Sequence, residues 1–123
     1  MKLALIGSRN YTDYEQFKAV ISNTLAKWNK NIDNIEKVIS GGAKGADTLA
    51  EKWTKENRIH HKMKVYVPDW TTHKRAAGIL RNTDIINDST HVIAFPSRSG
   101  KGTQDSINKA KKSNKIIEVF YID

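Results

Sequence analysis

A chain of 123 residues with 21 Lys and Arg against 13 Asp and Glu carries a formal charge of +8, so anions are its expected partners, as small phosphates or as a nucleic-acid backbone. The absence of cysteine excludes disulfides, thiol catalysis and thiolate metal sites. The length fits one domain over residues 1–123, and no opening apolar segment long enough for a signal peptide or a membrane span appears, which points to a cytoplasmic protein.

The first predicted strand runs from Lys2 to Ile6, an almost unbroken apolar stretch of the kind buried on both faces of a parallel sheet, and ends at Gly7-Ser8-Arg9. Thr12 and Glu15 then read as a T-x-x-E capping box for a helix with Phe17, Val20, Ile21, Thr24, Leu25 and Trp28 at helical spacing. Residues Asn29 to Asn34 form a polar surface connection. Lys37-Val38-Ile39 is the second strand, followed by the glycine-rich stretch Ser40 to Asp47 and a second helix from about Ala46 to Asn57.

Met63, Val65 and Val67 alternate with Lys64 and Tyr66 as a third strand, stopped by Pro68, and Asp69 to Thr72 reads as a loop. Ala76, Ile79, Leu80, Thr83 and Ile86 give the third helix, and Val92 to Phe95 the fourth strand. After a loop from Pro96 to Gly102 comes a fourth helix with Thr103, Ile107 and Ala110 inward, then a fifth strand over Ile116 to Ile122. Five strands alternating with four helices predict an α/β fold of right-handed β-α-β units, an open parallel sheet covered on both faces. Ligands bind such sheets at the carboxyl ends of the strands, which is where all three glycine-containing loops fall.

In Ser40-Gly41-Gly42-Ala43-Lys44-Gly45-Ala46-Asp47, three glycines within five residues let the backbone turn sharply and bring its N–H groups close to a guest. The following helix N-terminus and Lys44 add positive charge, so a phosphate is the expected guest. Neither G-x-G-x-x-G after the first strand nor G-x-x-x-x-G-K-[ST] is present, which removes the ordinary dinucleotide and Walker readings. Arg9 and Arg81 are the expected phosphate partners, since a guanidinium grips two oxygens at once. Asp47 and Glu51 share one face at the start of the second helix, where either can take ribose hydroxyls or act as a catalytic acid. Alternatively, Asp47 simply complements the helix dipole. Trp70 is the candidate for stacking on a base. His60 and His61 are adjacent and lack a completing carboxylate, so no metal site is expected. The basic run Lys109, Lys111, Lys112 and Lys115 reads as a solvated face.

Four motifs, Gly7-Ser8-Arg9, Ser40 to Asp47, Gly78-Ile79-Leu80-Arg81-Asn82 and Gly100-Lys101-Gly102-Thr103, occur in the order and spacing of the YspA (cpYpsA-related) SLOG family, which this chain resembles over nearly its whole length. The resemblance implies a Rossmann-like nucleotide-binding domain related to the LOG phosphoribohydrolases, the DNA-processing protein DprA and sensor domains for nucleotide-derived signals. It implies that Gly7, Ser8, Arg9, Ser40, Gly41, Gly42, Lys44, Gly45, Asp47, Arg81, Asn82, Gly100, Gly102 and Thr103 surround a nucleotide or ADP-ribose-like ligand, with no further cofactor. It also suggests a homo-oligomer, as the LOG enzymes and the exposed aromatics do. The chain departs from the LOG enzymes at their catalytic glutamate, whose position is Ser106; a serine cannot stabilise the charge that develops as an N-glycosidic bond breaks. Asp105 is expected to point about 100° away on its helix. Phosphoribohydrolase activity and a DprA-like DNA-binding role stand as the alternatives to a sensing or sequestering module.

Overall fold

A computed structural model describes residues 1–123. Five strands, β1 (Lys2–Gly7), β2 (Lys37–Ser40), β3 (Met63–Val65), β4 (His91–Phe95) and β5 (Ile116–Val119), form one parallel sheet in the order β3-β2-β1-β4-β5. Four long helices, α1 (Tyr14–Lys27), α2 (Ala46–Glu56), α4 (Ala77–Asp88) and α5 (Gly102–Lys112), cover it, and α3 (Trp70–His73) is a single turn.

Alternation along the strands builds two cores. Leu3, Leu5, Val38, Ile93 and Phe95 join Phe17 and Ile21 of α1 and Leu49 and Trp53 of α2 on one face. Ala4, Ile6, Ile39, Val92 and Ala94 meet Ile85 and Ile86 of α4 and Ile107 and Ala110 of α5 on the other. Burial on both faces is why β1 and β4 read as continuous apolar runs rather than as polar-apolar alternation. The sequence order moves outward from β1 through β2 to β3, then returns to β4 and β5 on the other side of β1. The order therefore reverses between β1 and β4, and a crevice opens beyond their carboxyl ends.

Several local expectations are corrected. The N-cap of α1 is Asp13, whose side chain accepts from the Gln16 backbone N–H at 3.1 Å, rather than Thr12. A carboxylate beside the N-terminal end of a helix combines the cap with the favourable dipole term. β3 stops at Val65, so Val67 lies outside the ladder and is exposed. Residues 70–73 form α3, capped by Asp69 accepting from the Thr72 N–H, where a plain loop is predicted. The buried stripe of α4 is Ala77, Asn82, Ile85 and Ile86, which leaves Ile79 and Leu80 exposed although their spacing is helical. β5 pairs only through Val119; the backbone beyond it continues along β4 through bonds from Phe120 to Ala94 and from Ile122 to Pro96.

At the opposite end of the sheet Asp88 accepts from Lys37 Nζ (3.0 Å to each oxygen) and from the Tyr66 hydroxyl (2.8 Å). Burial pushes this carboxyl up, but the bonds from Lys37 and Tyr66 and the charges of Lys37 and Lys2 outweigh it and hold the carboxyl below its ordinary value. A depressed folded value means that the contribution is fully present above about pH 4 and is lost as pH falls from there through the folded value. Urea denaturation at pH 7, 5, 4 and 3 is expected to show this decline. Asp88→Asn should flatten that acid segment; an unchanged acid slope in the variant would remove Asp88 from the account.

Candidate functional site

The crevice between β1 and β4 is a cleft of about 550 Å³. Its walls come from the end of β1 and the segment after it (Gly7 to Asn10), the loop after β2 (Gly41 and Ala43), Arg75 and the N-terminal two turns of α4 from Gly78 to Ile85, and the loop and first turn after β4. Charge is uneven in it. Arg9, Arg75, Arg81 and Lys101 line the cleft against two carboxylates, Asp47 and Asp105, and none of the four cations is in a salt bridge. No lining residue is aromatic.

The glycine loop is held from within. Asp47, in the first turn of α2, accepts from the Ser40 hydroxyl (2.8 Å) and from the backbone N–H groups of Gly41 (3.2 Å) and Ala43 (2.8 Å). Two of the donors read from the sequence as a phosphate cradle are thus engaged by a carboxylate of the chain itself. Asp47 is only six residues beyond Gly41, close enough to fold back over the turn as an acceptor, and buried N–H groups require such partners. Gly45 adopts φ +75°, and a Cβ there would stand 2.3 Å from the Ser8 carbonyl oxygen and 2.5 Å from that of Arg9. Its lack of a side chain lets the Ser8-Arg9 segment lie on the start of α2, where the Ala46 N–H donates to the Ser8 carbonyl at 3.2 Å. Gly42, at φ +70°, turns away from the cleft toward Val65 and Val67.

Arg81 is the most constrained of the cations. Its Nη1 donates to the Gly41 carbonyl at 2.6 Å and its Nε to Asn82 Oδ1 at 3.0 Å. Burial pulls the guanidinium below its ordinary value; Asp47 opposes that shift and the neighbouring charge of Arg9 adds to it. An arginine keeps its charge despite such a shift, so the field of two adjacent guanidinium groups is directed at the cleft.

The structure distributes the predicted residues unevenly. Gly7, Ser8, Arg9, Gly41, Asp47, Arg81, Asn82, Gly100, Gly102 and Thr103 line the cleft, whereas Ser40, Gly42, Lys44 and Gly45 do not. Ser40 is fully buried beneath Asp47, and Lys44 is exposed. Glu51 is also outside and is paired with Lys55 at 2.9 Å; that bond and charge hold its carboxyl below the ordinary value. Trp70 is half exposed and stands over Gly78 at the cleft's rim, 3.6 Å from where a Cβ at position 78 would be.

Asn10 and Arg75 line the cleft without having been singled out from the sequence, and Lys101, quoted only as part of the Gly100 to Thr103 motif, lines it too. Arg75 sits in the run His73-Lys74-Arg75, whose charge is visible but whose placement depends on how the turn after α3 folds. Asp105 was expected to point away from Ser106, yet both line the cleft because it reaches around the first turns of α5. No group of three or more His, Asp or Glu side chains is gathered anywhere in the molecule, and no helix is long and apolar enough to cross a membrane.

Comparison with known proteins bears on this arrangement in three ways. The "Gene 61 protein" of Mycobacterium phage D29 is 31% identical over 80 residues, covering 62% of this chain and 64% of the phage protein. In fold, the chain is similar to DNA processing protein A of Helicobacter pylori, a protein described for its single-stranded DNA binding mode, with a TM-score of 0.70 and 23% identity over 97% of this chain and 64% of that one. The chain therefore spans 64% of the length of each of these two proteins. Residues 1–73, which contain the Gly7-Ser8-Arg9 segment and the Asp47-locked glycine loop, match the family model described as YspA, cpYpsA-related SLOG, and the chain belongs to that family.

Proposed function

We propose that the cleft binds the phosphate of a nucleotide or a nucleotide-derived molecule, with Arg9, Arg75, Arg81 and Lys101 as its cationic partners. The observation that carries this reading is the convergence of four cations from separate segments on one polar cleft, with no salt bridge to any of them. Like charges held together raise the energy of the unliganded protein, and an anion placed between them relieves it. The volume of about 550 Å³ lies in the range of small-ligand sites. Asp47, which accepts three bonds from Ser40, Gly41 and Ala43, keeps one further acceptor position for a sugar hydroxyl on the same walls. Ser106 supplies no negative charge for glycosidic cleavage, and Asp105 is bonded to Asn82 and Lys109, so the reading is of a binding module that returns its ligand intact.

A second reading places the phosphates in single-stranded DNA, and the fold likeness to DNA processing protein A favours it. Binding of a strand through stacking calls for aromatic platforms, which the cleft lining lacks. Calorimetry with ADP, AMP and ADP-ribose, beside fluorescence anisotropy with an oligothymidine, separates the two at about 50 mM and about 200 mM salt. The expected result is a nucleotide that binds with a modest loss at the higher salt and AMP recovered unhydrolysed. Tight oligothymidine binding at the higher salt, with every free nucleotide failing, would replace the first reading by the second. Failure of both ligand classes would remove the phosphate reading itself.

A further inference from the structure

We propose that Asn82 is a positioning residue that aims the Arg81 guanidinium into the cleft and, through Asp105, ties that aim to α5. The inference rests on the phosphate reading of the same cleft. Both ends of the Asn82 amide are committed to the protein: Oδ1 accepts from Arg81 Nε at 3.0 Å, and Nδ2 donates to Asp105 Oδ2 at 3.2 Å. Asp105 also accepts from Lys109 Nζ at 2.5 Å, and Arg81 Nη1 donates to the Gly41 carbonyl at 2.6 Å. Lys109, Asp105, Asn82, Arg81 and Gly41 thus form one hydrogen-bonded chain from α5 through α4 to the loop after β2.

The position of Asn82 argues for a role beyond packing. It is 9% exposed and interrupts the buried stripe made by Ala77, Ile85 and Ile86, where an apolar side chain would seal α4 against its neighbours at less desolvation cost. A buried amide is tolerated when its partners satisfy it, and here those partners are the two charged side chains that line the cleft from α4 and α5.

An unrestrained arginine carries about 2 kcal/mol of rotamer entropy, part of which is lost on binding. Bonds at Nε and Nη1 remove that freedom in advance and leave three of the five N–H groups for an anion. Because Asp105 holds the other end of the amide, a shift of α5 is transmitted to the guanidinium.

Two measurements test this. Calorimetry with ADP is expected to show Asn82→Ala binding about tenfold more weakly, with no further loss when Asn82→Ala is added to Arg81→Ala. The exchanged pair Asn82→Asp with Asp105→Asn rebuilds the bond between α4 and α5 with donor and acceptor reversed and keeps an acceptor for Arg81 Nε, giving up only the Lys109 bond to the atom that becomes an amide nitrogen, and it should recover most of the affinity that Asn82→Asp alone loses. Independently of any ligand, the Arg81 Hε resonance, identified by its absence in Arg81→Lys, should be protected from solvent exchange in the parent and lose protection in Asn82→Ala.

Losses that simply add in the Asn82→Ala, Arg81→Ala double variant, or unchanged Hε protection in Asn82→Ala, would overturn the positioning role. If Asn82→Ala does not fold, Asp105→Ala takes its place, since it cuts the same chain one bond further out at a partly exposed residue. If the parent fails to bind ADP, the phosphate reading falls, and Hε protection alone decides whether Asn82 holds Arg81.

Discussion

Gly45→Ala is expected to cost the fold about 2–5 kcal/mol, from adopting a left-handed backbone with a Cβ and from forcing apart a packed contact. The new Cβ would meet the carbonyl oxygens of Ser8 and Arg9 at 2.3 and 2.5 Å, both of them backbone atoms that no rotamer change can move aside. The Ser8-Arg9 segment would have to leave the start of α2, taking the Ala46 to Ser8 bond and one wall of the cleft with it. Against a typical total stability of about 5–15 kcal/mol, urea denaturation should show a large fall in midpoint. Gly102→Ala is the internal comparison, because no atom lies within 4 Å of where its Cβ would be and it begins a helix. It should be close to neutral. A Gly45→Ala variant as stable as the parent would show that the loop can relax, contrary to the close contacts described.

Arg81→Ala is expected to weaken ADP binding about 100-fold, about 2.7 kcal/mol, the scale of losing charge-assisted hydrogen bonds at a partly buried site. Arg81→Lys should recover little of it. A single ammonium cannot bond Asn82 and Gly41 and still present a fork to an anion. Both variants are expected to fold, because the vacated Gly41 carbonyl and Asn82 amide oxygen border an open cleft where water can reach them. Unchanged calorimetric affinity in folded Arg81→Ala would move the anion elsewhere in the cleft and withdraw Arg81 from the phosphate reading.

Much of this architecture was legible in the chain because burial on both sheet faces writes itself as unbroken apolar runs. Leu3 to Ile6 and Val92 to Phe95 are such runs, and both became central strands. Where burial is partial, the pattern misled. Val67 continues an apparent alternation, yet β3 is the edge strand and stops at Val65. Ile79 and Leu80 have helical spacing, but the stripe that faces the sheet falls on Ala77, Asn82, Ile85 and Ile86. Periodicity reports that a helix has a face; which face is buried depends on its neighbours.

The sequence alone determined the fold class, the position of the cleft at the strand ends, and the family, since each depends on local runs and motifs that the chain order carries to one edge of the sheet. Tertiary structure decided what the glycine loop does with its N–H groups. It placed Asp47 to accept two of them, set Gly45 against Ser8 and Arg9, and gathered the cleft's positive charge from Arg9, Arg75, Arg81 and Lys101 on separate segments. It also joined Asn82 to Asp105, 23 residues apart. A hydrogen bond between residues on different helices depends on relative positions that packing of both cores establishes, and no spacing along the chain encodes those positions.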